Sequence, residues 1–319
     1  MPTHDSHCKK DKAVTWSIAV FAHNEATRIA ATLRSIQAAT QGMAVEVVVL
    51  VNGCQDATAD VVYALAAAWP QLRVAEILVA DKANARNEYV HRIAAVPPDS
   101  SLAMHVFVDG DVHVAPSALQ ALAERMAQVP AAHAVGALPT IGRDRAGWGQ
   151  RMLAHGTLAG GLYALRGDFV ARLRQRGICL PQGLIGEDWL VSLRASHDLQ
   201  PLAMAVESSG HVVFAPEAGF SFRSLSLRRV QDCRTYARRL RRYAQRGVQY
   251  EMVWTWLWLH PPEPLPSDVH SLFVRAPAPS RLQWVGSTVG SLLRCLAVQK
   301  VRTVRARGHV PTSPAKVPF

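Results

Sequence analysis

Over residues 15–110, short apolar runs alternate with longer segments whose apolar residues recur every three or four positions. Thr15 to Ala22 reads TWSIAVFA and Val45 to Val51 reads VEVVVLV. Runs this continuous and this rich in β-branched residues mark strands covered on both faces. Leu72 to Val79 and Ala103 to Val108 are strands by the same criterion. Between them, Ile29, Leu33 and Ile36 place a helix over 25–38. Val61, Val62 and Leu65 place a second, with Asp56 positioned to cap it, and residues 84–94 make a third. This alternation predicts an α/β fold, a mostly parallel central sheet flanked by helices with right-handed connections. Ligands of such sheets bind outside the carboxyl ends of the strands. Those ends read His23-Asn24-Glu25, Asn52-Gly53-Cys54, Asp81-Lys82 and Asp109-Gly110-Asp111, so polar residues converge on one crevice.

Beyond Asp111 the alternation loosens. A helix starts near Pro116, strands are expected at 134–138, 162–166, 202–206 and 211–215, and a helix runs from Glu187 through Arg194. Nine arginines crowd residues 223–246 against one acid, Asp232. There Leu227, Val230, Cys233, Ala237, Leu240 and Ala244 keep a helical spacing, which predicts a cationic helix with one apolar stripe. A tryptophan cluster at 254–258, a Pro-rich hinge at 261–266 and an apolar stretch from Leu282 to Val298 follow. The ends, 1–14 and 300–319, read as loose tails, the second of them basic.

Composition narrows the partners. With 49% apolar and 18% charged residues, the chain has the balance of a globular protein and is not intrinsically disordered. Its formal charge of +11 favours anionic partners without choosing among phosphates, nucleic acid and acidic membrane. Five scattered cysteines with no CxxC pair fit a reduced, cytosolic compartment and argue against structural zinc. We expect neither a secretory signal nor a transmembrane helix.

Asp109-Gly110-Asp111 is the sharpest chemical signal. Two carboxylates around a small residue at a strand end suit a shared divalent cation, although Asp-Gly is also a common turn. Glu187-Asp188, taken in isolation, suits the acidic first turn of a helix better than a general base. Lys82, Arg86 and Asn87 open a helix where a phosphate would be welcome, or form a solvated face. His113, His155 and His211 are weaker candidates for a third metal ligand, and Cys54 and Cys179 read as plain small residues.

Taken in order, these motifs resemble the inverting family 2 glycosyltransferases of GT-A fold, over about residues 15–235. The resemblance rests on Ala22-His23-Asn24-Glu25, on Asn52-Gly53-Cys54-Gln55-Asp56-Ala57-Thr58 and on Lys82 through Arg86-Asn87. It continues with Asp109-Gly110-Asp111, Gly160-Gly161 through Arg166, and Glu187-Asp188. It implies a nucleoside diphosphate sugar donor held by Ala22, Asn24, Glu25, Asn52, Lys82, Arg86, Asp109 and Arg234. It implies Mg2+ or Mn2+ on Asp109 and Asp111, with Asp188 as base beside Glu187. Where many members carry Asp, this chain has Val51 or Asn52. The Gln-x-x-Arg-Trp motif of processive synthases becomes Gln231-Asp232-Cys233-Arg234-Thr235, which points to single transfers.

The expected organisation is a tail at 1–14 and a GT-A domain at 15–247, with nucleotide-sugar binding at 15–111 and the acceptor side at 112–235. A helical C-terminal extension at 248–299 and a basic tail at 300–319 follow. The acceptor is open between a lipid-linked molecule and a saccharide. The arginines and tryptophans suit an anionic membrane surface, hence a cytoplasmic protein peripheral on the inner leaflet, or else the arginines line the donor site. Two rival readings are a sugar-1-phosphate nucleotidyltransferase and a basic nucleic-acid-binding protein. The first lacks the Gly-rich opening loop of that chemistry, and the second lacks a nucleic-acid module, so no nucleic-acid partner is expected.

Overall fold

The computed structural model describes residues 16–94, 103–142, 145–202, 210–223, 225, 229–279, 285 and 287–307. Its centre is an eight-stranded sheet of order β3-β2-β1-β4-β7-β6-β8-β5. The strands are β1 (Trp16–Ala22), β2 (Val45–Asn52), β3 (Leu72–Ile77), β4 (Met104–Asp109), β5 (Val112–Val114), β6 (Ala134–Pro139), β7 (Leu162–Arg166) and β8 (Val212–Phe222). The first four are parallel, as expected; β4 with β7, β7 with β6, and β8 with β5 run antiparallel.

The strand-spanning apolar runs fill both faces. In β1, Ile18, Val20 and Ala22 enter one core, while Ala19 and Phe21 enter the other. The first core is closed by α1 (Ile29–Ala39), α2 (Thr58–Ala66) and α4 (Ala118–Gln128). The second is closed by α3 (Lys82–Glu88), α6 (Gly167–Gln175), α7 (Glu187–Ser196), α8 (Val230–Leu259), α9 (Val269–Arg275) and α10 (Thr288–Arg307). The helix α5 (Arg145–His155) precedes β7.

Several expectations shift in detail. The helix expected over 84–94 is α3 followed by a wider π-helical turn at Tyr89–Ile93. Asp56 is not the N-cap of α2, which falls at Ala57. Instead Asp56 accepts from the amides of Thr58 (3.1 Å) and Ala26 (3.1 Å), tying the loop after β1 to the start of α2. The strand expected at 202–206 and the apolar positions at 227 and 282–284 lie outside the described residues, in whole or in part.

The largest correction concerns α8. It runs unbroken for 30 residues, joining the arginine segment to the tryptophans and crossing residues 247 and 248. Its expected apolar stripe is not buried: Val230, Cys233 and Ala237 are exposed. Burial begins only at Val248 and continues through Met252, Val253, Trp256 and Leu257. Residues 300–307, expected to be loose, complete α10, whose Val298 and Val301 are buried.

Candidate functional site

Register sets the site. Phe21 of β1 pairs with Asp109 of β4, and Ala22 pairs with Val51 of β2, so three strands end at one level. Antiparallel β7 begins beside the end of β4, where Val108 pairs with Leu162 and the Asp109 amide donates to Gly161 O (3.2 Å). The segment entering β7 thus lies against the metal-type motif. It also meets the first turn of α7, where the Gly160 amide donates to Asp188 Oδ2 (2.8 Å). A side chain at Gly160 would crowd this group. A Cβ there would lie 3.1 Å from Lys82 Nζ, 3.3 Å from Asp188 Oδ2 and 3.6 Å from Asp109 Oδ2.

Lys82 binds this group together, with Nζ 2.5 Å from Asp109 Oδ1 and 2.8 Å from Glu187 Oε1. Burial opposes its charge, but Asp109, Glu187 and Asp188 outweigh burial and hold the ammonium above the usual lysine range. The two α7 carboxylates diverge. Glu187 is buried, yet Lys82 and Arg86 overcome burial and hold it below the ordinary range. Asp188 is raised by burial and by the neighbouring Glu187 charge. Two adjacent carboxylates on one helical turn are thereby told apart by environment.

A second carboxylate group stands at the ends of β1 and β4. Burial, then Asp111, Asp109 and Asp56, push Glu25 up to about 7 against the opposing pull of Arg28. Burial, then Glu187 and Asp111, raise Asp109 to about 6 despite Lys82. Arg28 Nη1 sits 3.2 Å from both Glu25 Oε2 and Asp111 Oδ2. Glu25 Oε2 is buried and makes no hydrogen bond. Hard oxygen donors in excess of nearby cations are what a divalent ion requires.

Not every expected residue reaches the crevice. Asn52 is buried, and its amide donates to Ala22 O (2.9 Å) and Leu50 O (3.3 Å), so it fastens strands instead of contacting a base. Ala22 is fully buried and offers only backbone. Asn24 does face outward, in a left-handed conformation (φ 55°), and accepts from the Gln55 amide (2.8 Å). Arg86 is 3% exposed and lies under the site, its guanidinium 4.2 Å from the Phe107 ring and 5.2 Å from Tyr163. None of its nitrogens has a hydrogen-bond partner, and burial lowers it to about 10, so it acts on Glu187 and Asp188 through its field and not by touching a donor. Asn87 clamps Leu180 through both amide atoms (2.8 and 2.9 Å). Arg166 is spent on the carbonyls of Ala132, Met126 and Val129. Arg234 is exposed on α8, and among the described residues no hydrogen bond or ion pair joins it to the carboxylates. The histidine candidates scatter: His113 and His155 are exposed, and the His211 ring lies tilted against His133, centroids 4.3 Å apart. No cluster of three or more His, Cys, Asp or Glu with metal-holding geometry occurs among the described residues.

Sequence reading missed Arg28, the contact of Gly160 with Asp188, and the partners that α8 supplies. Tyr250 Oη donates to Gly186 O (2.9 Å), and its ring stacks on Trp189 (4.0 Å). Gly186 is left-handed (φ 77°), and a Cβ there would collide with Tyr250 Oη and lie 2.6 Å from Arg246 Cδ. The signal lay in the recurrence of Tyr236, Tyr243 and Tyr250 every seven residues. A hollow of about 680 Å³, lined by Thr40, Met43 and Trp69, opens at the amino ends of β2 and β3, away from this chemistry.

The fold is shared with known structures. The mannosyltransferase PcManGT from Pyrobaculum calidifontis, in complex with GDP-Man and Mn2+, superposes with TM-score 0.57 at 17% identity, covering 94% of this chain and 77% of that one. Residues 1–349 of S. aureus TarS superpose with TM-score 0.50 at 16% identity, covering 93% of each chain. Comparison with curated protein sequences gives no match. Among the described residues no helix is long and apolar enough to cross a membrane. The family model for glycosyl transferase family 2 matches residues 17–178, just over half of the chain, and it spans β1 through α6 with the crevice at their carboxyl ends. On that match this chain belongs to glycosyl transferase family 2.

Proposed function

We propose that the chain transfers a glycosyl group from a nucleoside diphosphate sugar to an acceptor hydroxyl, with inversion and one transfer per encounter. The observation that carries this reading is the meeting of Lys82, Asp109 and Asp188 around the bare backbone of Gly160. Three elements deliver a cation, a strand-end carboxylate and a raised carboxylate to one point that a substrate can approach closely.

Asp188 is the base. Its raised carboxyl is a better proton acceptor than an ordinary aspartate, and the Gly160 amide fixes its orientation. The acceptor O–H proton passes to Asp188, and the freed oxygen pair forms a bond to the anomeric carbon. The bond from that carbon to the diphosphate oxygen breaks, and its electron pair leaves with the nucleoside diphosphate. Glu187, held by Lys82, positions the turn that carries Asp188. The loop at Asn24 and Glu25 faces the donor, while Asn52 and Arg86 support it from beneath.

Asp109 and Asp111, with Glu25 close by, are the residues that would hold Mg2+ or Mn2+. A divalent ion there neutralises charge gathering on the leaving diphosphate. The GDP-Man and Mn2+ of PcManGT support the pairing of donor and metal. Thr235, standing where processive synthases carry Trp, supports single transfers. The exposed arginines of α8, with Trp254 and Trp258 exposed on the same helix, support peripheral attachment to an anionic inner leaflet.

A panel of nucleoside diphosphate sugars, screened by thermal shift with and without Mn2+, tests the reading. The true donor raises the midpoint by mass action, more so with metal. No shift with any member of the panel, from a folded protein, would sink it.

A further inference from the structure

One face of α8 is unused by the chemistry above. Tyr236, Arg239, Tyr243, Arg246 and Tyr250 follow one another at three- and four-residue intervals and so share a side of the helix. At the catalytic end, Tyr250 is bonded to Gly186, two residues before Asp188. The Arg246 guanidinium lies 5.6 Å from the Tyr250 ring and 4.9 Å from the Tyr243 ring, and its charge acts on Asp188. Tyr243 then forms part of the wall of a groove of about 570 Å³ between α8 and α10. Tyr236, Leu240, Val285, Val289 and Leu293 add further apolar wall, and Arg294, ion-paired to Glu251, also lines it.

Two features show that this groove is kept open and reachable. Gly247 lines it, and no atom lies within 4 Å of where its Cβ would be. Glycine inside a helix is unfavourable relative to any ordinary side chain, and here it leaves space at the groove. α10 exposes Val289, Leu292 and Leu296 by 60%, 61% and 58%, an apolar surface on the helix that forms one wall. The volume is that of an ordinary small-molecule pocket. Cationic at the end nearest the base and apolar along its length, the surface is complementary to a molecule of the same polarity.

Resting on the transferase reading, we propose that the acceptor is an anionic amphiphile whose hydroxyl meets Asp188, whose anionic group meets Arg246 and whose hydrocarbon chain lies in the α8–α10 groove. A free saccharide would leave the apolar walls wet and give Arg246 no anion beyond Asp188.

Calorimetric titration with dodecyl phosphate below its micelle concentration, with butyl phosphate and with dodecyl maltoside tests this. Each buried methylene is worth about fourfold in affinity. Allowing for partial burial, dodecyl phosphate should bind at least about a hundredfold more tightly than butyl phosphate. It should also exceed dodecyl maltoside by about tenfold, the worth of one charge-assisted contact. Gly247→Leu fills the groove and strengthens the helix, so it should weaken dodecyl phosphate by more than about tenfold and leave butyl phosphate unchanged. Arg246→Gln should weaken both phosphates and spare the maltoside. Equal affinity for the two phosphates, or a Gly247→Leu variant that binds dodecyl phosphate like the parent, overturns the proposal. So does binding to phosphatidylglycerol vesicles without binding to monomeric dodecyl phosphate, which would make the face a bilayer patch. Binding of UDP and GDP with Mn2+ is measured separately. Its loss would strike the transferase reading, and the amphiphile titration would not report that failure.

Discussion

The β1–β4 region and the α8–α10 region of this chain both carry long apolar stretches, but they use them in opposite ways. In β1, β2 and β4 nearly every apolar side chain is buried, because parallel strands are covered on both faces. In α8 the apolar positions at 230, 233 and 237 face solvent, while Val248, Met252 and Trp256, further along the same helix, are buried. An apolar residue in a strand run has only the core to go to. An apolar residue on a long helix has a partner only where another element reaches it, and α9 and α10 reach only part of α8. Periodicity therefore reports burial reliably in the first half and merely permits it in the second.

The largest expected effect falls on α7, which stands between the two regions, its first turn bonded to Gly160 before β7 and its Gly186 cap to Tyr250 of α8. Asp188→Asn should lower kcat by about 10²–10⁴-fold, the usual worth of a general base, while nucleoside diphosphate binding stays close to the parent's. Equal loss of kcat and of nucleotide affinity in a folded variant would move Asp188 from base to donor ligand. Next in size is Trp256→Ala. Trp256 is 2% exposed, donates through Nε1 to Pro264 O (3.1 Å) and lies under the Arg275 guanidinium (4.8 Å). Its removal should cost about 3–5 kcal/mol by urea unfolding, as for other buried tryptophans. A cost under about 1 kcal/mol would mean that the C-terminal half of α8 is no better covered than its start.

The same contrast explains what the sequence disclosed. The parallel strands, their order of appearance and the carboxylates at their ends were legible because each depends on local pattern: β-branched runs, a terminal Asp-Gly-Asp, acids opening a helix. Asn52 and Arg86 were misplaced because motif position says which loop a residue sits on, not which way it points. Asn52 turns into the strand backbone, and Arg86 slides between aromatic rings contributed by β4 and β7. The contacts of Gly160 and Tyr250 were invisible for a further reason. Their roles are contacts across 28 and 64 residues of sequence, set by the antiparallel return of β7 and the packing of α8 on α7.

A third prediction probes the strand half by pH. His105 on β4 is buried and bonded to Tyr89 Oη (2.9 Å), and burial, with Arg174, lowers it to about 4. The unfolded chain takes up a proton at its ordinary value near 6.5, whereas the folded chain resists until about 4. Stability from this residue is therefore intact above pH 6.5, falls as pH drops to about 4, and is flat below that. The full span is on the order of 3 kcal/mol. Glu25 and Asp109 are shifted upward and contribute with the opposite sign, so the measurement is a difference. Parent minus His105→Gln, by urea unfolding at pH 7, 5.5 and 4.5, should narrow steadily toward acid. A difference that does not change with pH would mean that water reaches this histidine.

The smallest expected effect sharpens the comparison within one helix. Trp254 and Trp258 flank Trp256 in sequence, yet they are 44% and 54% exposed. Two residues along a helix is more than half a turn, so the two neighbours point away from the side that α9 and the Pro264 loop cover. Trp258→Ser should therefore change unfolding free energy by no more than about 0.5 kcal/mol, against several for Trp256→Ala. If instead Trp258→Ser proved as costly as Trp256→Ala, the exposed face of α8 would have to be covered in solution. The helix would then be as fully packed as the strands, and the contrast between the two halves would fail.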